Sequence, residues 1–469
     1  MEGTRGLLGI FVLCLLAWLM SSNRRRIPWK TVIGGLALQW LLAFLVLRTE
    51  WGRAFFDGIA SLVTVILRGA DEGAKFVFGP LAGDHSSVAW KAIAGIKIMT
   101  TIIVVACLSS LGYHYGILQR VVQGLAWVMT RVLGVTGPES LSGAANVFVG
   151  QTEAPFLVRP FLATMSRSEL MAIMTGGFAT ISAGVMAYYV SLLGVDSSGQ
   201  PDQARMVTMA RHLLTASLMS APAAFVMAKI MVPPGEEARP TKSTALMIPI
   251  QTKNGIDAAT HGASEGMKLA INVIAMLVAF IALIKIVNIG LGAFGRLDLI
   301  SPLVARLGMT QLDLDGILGL VLSPIAWCNG VESADCRTFG GLIGKAVATN
   351  EMIAYGSLSE LIQKGGMSPR SILIATYSMC GFANLGSIGI QIGGIGALAP
   401  ERRSDLVSLG PRAMMGGAMA CWMTRRDRGD VRELTGSSRM GRGSSTLEGN
   451  IAYGDWRTRI YHAKLGAPC

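Results

Sequence analysis

The chain has 469 residues, 51% hydrophobic and only 15% charged, with a mean hydropathy of +0.50; soluble domains carry about 25% charged residues, so a bilayer is the solvent this composition suits. The formal net charge of +12 would suggest a nucleic-acid partner in a soluble domain, but the basic residues fall between long apolar runs and read as topology determinants, with no nucleic acid implied. The seven cysteines (Cys14, Cys107, Cys328, Cys336, Cys380, Cys421, Cys469) form no CxxC and no His/Cys cluster, so neither a zinc site nor a disulfide framework is indicated.

In chain order, residues 7–20 are apolar and are followed by Arg24, Arg25 and Arg26. A signal peptide carries its charge before the apolar core, so this arrangement predicts a retained helix with an outside N-terminus. Apolar stretches near 6–22, 30–48, 91–112, 170–194, 206–232 and 267–290 approach the length of a span, about 20 residues. Six ordinary spans of an all-α polytopic protein result. The count places Arg24 to Arg26, and the 233–253 loop with Arg239, Lys242 and Lys253, on the inside, as the positive-inside bias requires. Residues 51–67 and 115–133 are apolar at helical spacing but include Arg53, Asp57, Arg120 and Arg131, which suits interfacial helices.

Two further segments, 139–165 and 312–363, are apolar but interrupted by Gly, Pro, Asn and acidic residues. Such backbone reaches membrane depth only when buried in protein or lining a wet cavity. Each is followed by a glycine-rich apolar stretch, 174–190 and 375–399, and Glu153 and Glu351 fall at comparable places, 351 − 153 = 198 residues apart. With six spans before it, the second segment starts outside where the first starts inside. Inverted repeats with a midplane site between them are expected.

The densest polar cluster is NVFVGQTEAPFLVRP, with Asn146, Gln151, Thr152, Glu153 and Arg159. An ionisable residue inside a membrane marks a site candidate, and Pro155 argues against a continuous helix there. A loop at the membrane surface is the competing reading. In GKAVATNEMIAYGSLSEL, Glu351 needs a partner, either a cation, a hydroxyl-rich ligand or simply Lys345. Glu332 and Asp335, in CNGVESADC, read as part of an exposed connection. In CGFANLGSIGIQIGGIGALAPERRSDL the glycines lack GxGxxG spacing and any βαβ context, so a broken helix fits better than a dinucleotide loop. Asn384 and Ser387 would share a helical face there, and Phe382 could stack on a flat ring. The first-half counterpart, MTGGFATISAGVMAYYV, offers the hydroxyls of Thr180 and Ser182. No HExxH, GxSxG or P-loop occurs, and the five histidines are scattered, so no catalytic centre is expected.

With these residues in view, the chain resembles the concentrative nucleoside transporter family through GQTEAPFLVRP, MTGGFATISAGVMAYYV, GKAVATNEMIAY and CGFANLGSIGIQIGGIGALAPERRSDL, four motifs in order. The resemblance implies that the interrupted segments are two re-entrant helical hairpins, whose tips meet two broken transmembrane helices to hold one nucleoside. By motif match, Gln151, Thr152 and Glu153 would contact the base, Val185 would pack on it and Phe382 would line its pocket, while Glu351, Asn384 and Ser387 would hold ribose hydroxyls. The sodium site of sodium-coupled members matches Asn146, the Val149 carbonyl, Thr180 and the Ile181 carbonyl. All are oxygen donors, as a hard cation requires. Proton-coupled relatives tend to lack the asparagine, which favours sodium over protons as the coupling ion.

Two departures from the family pattern stand out. Leu385 and Gly386 replace an aromatic and a serine commonly seen before the matched Ser387, leaving base selectivity open between purines and pyrimidines. The family's final helix continues apolar where this chain turns to TRRDRGD after Met423, so a helix begun after Pro411 would make only half a span and would impair the protein. The expected plan is a scaffold in 1–115, a first transport repeat in 116–232, a loop and scaffold helix in 233–292, a second repeat in 293–423 and a basic tail in 424–469. The expected activity is sodium-coupled uptake of nucleosides such as uridine by an elevator-like homotrimer in the inner membrane. Proton coupling and a nucleoside-binding receptor that does not transport are the alternatives.

Overall fold

The computed structural model describes residues 2–82, 94–195, 201–235 and 252–424. The basic loop around Arg239 and Lys242 and the basic tail from Arg425 onward lie outside the described residues. The regular structure of the described residues is all helical, apart from one isolated bridge between Val195 and Pro201. Helices α1 (Glu2–Leu19) and α2 (Trp29–Arg48) match the first two expected spans. Next come α3 (Glu50–Phe78), α4 (Ala94–His114) and α5 (Ile117–Leu133). Both α3 and α5 are amphipathic: α3 buries Ala60, Thr64, Leu67, Ala70 and Ala74 and exposes Phe55, Leu62 and Val65.

The first interrupted segment forms α6 (Gly137–Asn146), an irregular tip, a 3-10 turn (Ala154–Val158) and the four-residue α7 (Arg159–Leu162). The returning arm is therefore not the regular helix that a helical hairpin implies. Pro155 and Pro160 remove two amide donors within six residues, which stops the i to i−4 ladder from propagating. After it, the first broken span is α8 (Arg167–Ala179) and α9 (Ala183–Leu193), and α10 (Gln203–Met231) runs back. The α11 helix (Gly255–Gly295) has 41 residues, about 60 Å at 1.5 Å per residue, twice a hydrocarbon core of about 30 Å. It buries a stripe of small residues, Ala258, Gly262, Gly266 and Ala270, against α4. A Cβ on Gly262 would stand 2.6 Å from the Ala106 carbonyl, so the close approach demands glycine. Much of its remaining surface, including Ile271, Val278, Ile281 and Ile286, is exposed.

The second half comprises α12 (Ser301–Arg306), α13 (Leu314–Cys328), hairpin arms α14 (Cys336–Ala348) and α15 (Glu351–Gln363), the broken span α16 (Pro369–Ser378) and α17 (Leu385–Leu398), and α18 (Arg403–Met423). Glu332 is exposed, in keeping with an exposed connection before α14. The expectation for the last helix needs correction: it does not begin after Pro411 but at Arg403, and carries Pro411 inside its 21 residues. Its start was hidden because Arg403, Ser404 and Asp405 are polar; Arg402 donates to the Ala163 carbonyl at 3.0 Å and to Asp405 at 2.9 Å, fixing that end at the base of the first hairpin. The helix does stop at Met423, whose carbonyl accepts from Gln39 Nε2 at 3.3 Å, near the middle of α2.

The two hairpins enter from opposite ends. Glu139, at the start of α6, pairs with Lys229 near the C-terminal end of α10 at 2.6 Å, both side chains buried. In the second hairpin, Ser359 of α15 donates to the Leu192 carbonyl at the C-terminal end of α9. Because α10 runs back along α9, those anchor points lie at opposite ends of the bundle, and the tips point towards each other. Packing also redistributes the N-terminal helices: α1 lies on α10, α13 and α18, and α2 lies on α10, α3 and α5, whereas α4 pairs with α11.

Candidate functional site

Two helix breaks and two hairpin tips converge. The α8/α9 break leaves residues 180–182 outside the helices, and the α16/α17 break leaves 379–384. The breaks touch, with the Phe382 amide donating to the Thr180 carbonyl at 3.4 Å and Cys421 Sγ to the carbonyls of Ala179 at 3.2 Å and Cys380 at 3.3 Å. At the first tip Gly150 has φ +98°, a conformation that a Cβ would strain, and that Cβ would sit 3.0 Å from Ser182. The Ala183 amide donates to the Phe148 carbonyl at 3.0 Å, stitching tip to break.

At the second tip, Asn350 caps α15 by accepting from the Met352 amide at 2.6 Å. That places Glu351 in the first turn, at the positive end of the helix dipole. Its buried carboxylate is held from two sides: Oε1 accepts from Tyr189 Oη at 3.0 Å and Oε2 from Asn384 Nδ2 at 2.8 Å. Tyr189 in turn stacks on Tyr355, with ring centroids 4.2 Å apart and planes at 29°. Lys345 is committed elsewhere, to Asp315 at 2.8 Å and Ser357 at 2.9 Å, so it is not the partner of Glu351. Asn384 and Ser387 meet, but not as helix-face neighbours; Asn384 is the N-cap of α17 and accepts from the Ser387 amide at 2.8 Å.

The other side of the convergence is amide-rich. Gln151 Nε2 donates to Ser387 Oγ at 3.2 Å, joining the first tip to the second broken helix. Gln391, one turn beyond Ser387, donates through Nε2 to Gln151 Oε1 at 3.0 Å and to the Met174 carbonyl at 3.1 Å. Half-buried Phe382 lies beside Gly150. Thr152 faces α17 at Gly394, and Val185 is buried. Glu153 points instead into a cavity of about 440 Å³, walled on one side by Phe148, Val149, Ser182 and Gly184 and on the other by α4 and α11 through Tyr113, His114, His261 and Glu265. Val185 is not in that cavity's wall.

Asn146 is fully buried, and neither Oδ1 nor Nδ2 has a hydrogen-bond partner among the described residues. An orphaned buried amide costs about 1–3 kcal/mol per unmet group, so the position fits a residue waiting for a ligand. Thr180 Oγ1 donates to the Gly176 carbonyl at 2.9 Å, which leaves its lone pairs available, and Gly176 is also the near neighbour of the Asn146 amide. With the Val149 and Ile181 carbonyls these are oxygen donors suited to a hard monovalent cation.

Sequence reasoning missed Tyr189 and Gln391. The signal was present for both: a phenol one turn after Val185, beside Tyr188 in a largely apolar helix, and an amide one turn after Ser387 in a glycine-rich run. A buried polar group on an apolar helix needs a partner.

Comparison with known proteins agrees with this architecture. Family models described as Na+ dependent nucleoside transporter N-terminus and C-terminus match residues 8–81 and 212–426, and one described as nucleoside recognition matches 95–196. An uncharacterized transporter of Bacillus subtilis, YutK, is 38% identical over 419 residues, covering 88% of this chain and 96% of the relative. An uncharacterized transporter of Haemophilus influenzae is 36% identical, covering 89% and 95%. Mouse solute carrier family 28 member 3 is 37% identical over 89% of this chain, which spans only 57% of that longer relative. Among solved structures, CNTnw in an inward-facing substrate-bound state superposes with a TM-score of 0.80 at 33% identity, covering 90% of this chain and 98% of that one. A variant of CNTnw in an outward-facing state also gives 0.80, at 32% identity and 90% and 96% coverage. Matched along nearly its whole described length, the chain belongs to the sodium-dependent, concentrative nucleoside transporter family and is a multi-pass plasma-membrane protein.

Proposed function

We propose that this protein carries nucleosides into the cell together with a cation, sodium in preference to protons, by moving a site built from two hairpin tips and two helix breaks past a fixed frame. The observation that carries the reading is the buried Tyr189–Glu351–Asn384 cluster, continued by the Ser387–Gln151 pair across the convergence. Glu351 and Asn384 would exchange hydrogen bonds with the ribose hydroxyls, and a sugar lacking a hydroxyl would leave a buried group unpaired at a cost of about 1–3 kcal/mol. Gln151 and Thr152 would meet the base, with Phe382 and Val185 as its apolar walls, while Glu153 would border the site from the cavity on its α4/α11 side. The Asn146, Val149, Thr180 and Ile181 oxygens would hold sodium, and the orphaned Asn146 amide supports sodium over a proton-coupled scheme.

The two-unit construction favours a carrier over a receptor. The cavity at Glu153 has hairpin 1 and α9 on one side and the α4/α11 pair on the other, so the site borders a seam between units. We assign the frame to α4 and α11, with the two repeats, residues 116–232 and 293–423, as the mobile unit. The exposed apolar face of α11 would pack against further copies in a homotrimer. Cation binding at the first tip would order Val149 and Gly150 and thereby raise nucleoside affinity, a coupling that must be reciprocal. Sodium affinity measured with and without saturating uridine checks this: each ligand should tighten the other by the same factor. Equal sodium affinities in the two conditions would refute the coupling.

A further inference from the structure

Gln391 is buried, lies on α17 and is not itself assigned to the ligand, yet it fixes which way a site amide faces. Amide orientations are ambiguous unless a neighbour decides them. Here the Met174 carbonyl decides: it can only accept, so the Gln391 atom 3.1 Å away is Nε2. That same nitrogen stands 3.0 Å from the side-chain amide of Gln151, so the facing Gln151 atom is the acceptor, Oε1. Flipping Gln391 would oppose its oxygen to two acceptors and lose both hydrogen bonds. Gln151 Nε2 is thereby turned towards Ser387, 3.2 Å away, which uses one of its two hydrogens and leaves the other for a ligand. The pairing has room only because residue 177 is glycine; a Cβ there would lie 2.7 Å from Gln391 Nε2 and 2.9 Å from Gln151 Cβ.

We infer that Gln391 is a positioning residue that sets base selectivity by locking Gln151 as a hydrogen-bond donor, so the site takes bases that present a carbonyl oxygen to it in preference to an amino group. This rests on the reading that Gln151 meets the base. Uridine and cytidine differ at that kind of group, O4 against N4–H₂, and serve as the probes. One hydrogen bond gained or left unmet corresponds to about a tenfold change in relative affinity.

The test is competition by uridine and cytidine for labelled-nucleoside uptake into liposomes containing the full chain. The unsubstituted protein should prefer uridine about tenfold. Gln391→Leu frees Gln151 to turn and should bring the ratio to about one. Gln391→Glu, protonated in this buried setting, can donate to the Met174 carbonyl and accept from Gln151; it should reverse the Gln151 amide and move the preference to cytidine. Gly177→Ala, which pushes on both amides, should also collapse the ratio. A residue serving packing alone would lower uptake of both nucleosides equally and leave the ratio fixed. An unchanged ratio in Gln391→Leu or Gln391→Glu protein that still transports overturns the inference but not the transporter reading. A cytidine preference in the unsubstituted protein overturns it without any variant, and no uptake of either nucleoside overturns both.

Discussion

The two hairpins are built to the same plan but to different standards of regularity. The second has two arms of 13 residues each, an Asn350 cap and a carboxylate whose two oxygens are both occupied. The first has one ten-residue helix, an irregular tip and a return arm broken by Pro155 and Pro160. What it lacks in internal hydrogen bonds it takes from neighbours: Glu139 to Lys229, Phe148 to Ala183, Gln151 to Ser387 and Gln391. The difference separates a second tip built on a capped helix, the proposed ribose end, from a first tip, the proposed base end, whose geometry is imposed largely from outside. A tip held by its surroundings can reorder when a cation arrives; a capped helix resists.

Four substitutions test this difference between the hairpins, in order of expected effect. Lys229→Met strands the buried Glu139 carboxylate and should destabilise the protein by about 3–5 kcal/mol. Thermal unfolding in lipid reads this, and adding Glu139→Gln should recover most of the loss. Glu351→Gln replaces an acceptor-only group with one that offers N–H to donors, and should lower nucleoside affinity by about 30- to 100-fold, or about 2–3 kcal/mol, in equilibrium binding with sodium present. Tyr189→Phe keeps the stack on Tyr355 but leaves Glu351 Oε1 short of a donor; about a tenfold weakening of ribonucleoside binding is expected. Lys345→Met removes the half-exposed pair with Asp315 at hairpin 2, which is worth at most about 1 kcal/mol. If Lys345→Met were as damaging as Lys229→Met, the idea that the first hairpin depends more on outside anchorage than the second would be lost.

The apolar periods made most spans legible in sequence, including both broken ones, because Thr180–Ser182 and Phe382–Asn384 sit inside otherwise continuous apolar runs. The return arm of the first hairpin was not legible, because proline fits the first turn of a helix as well as a turn that ends one. The start of α18 was missed since its first residues are polar and its proline is tolerated mid-helix by a protein-packed environment. Candidate residues near one another in sequence were readable as clusters, but their partners were not. Tyr189 reaches Glu351 across 162 residues and Gln391 reaches Gln151 across 240, contacts that only the convergence of the repeats creates. Glu153 was grouped with Gln151 by adjacency, and the structure instead turns it into the cavity towards α4 and α11.

If the convergence of tips and breaks is a cation-driven carrier site, uridine should accumulate inside liposomes against its own gradient. Liposomes containing the protein would be given an inward sodium gradient, an inward proton gradient, or neither, with Glu351→Gln protein in parallel. Accumulation above the equilibrium level under the sodium gradient alone, and its loss in Glu351→Gln, is the predicted result. Saturable uridine binding without accumulation under any gradient would contradict the account and leave a receptor in its place.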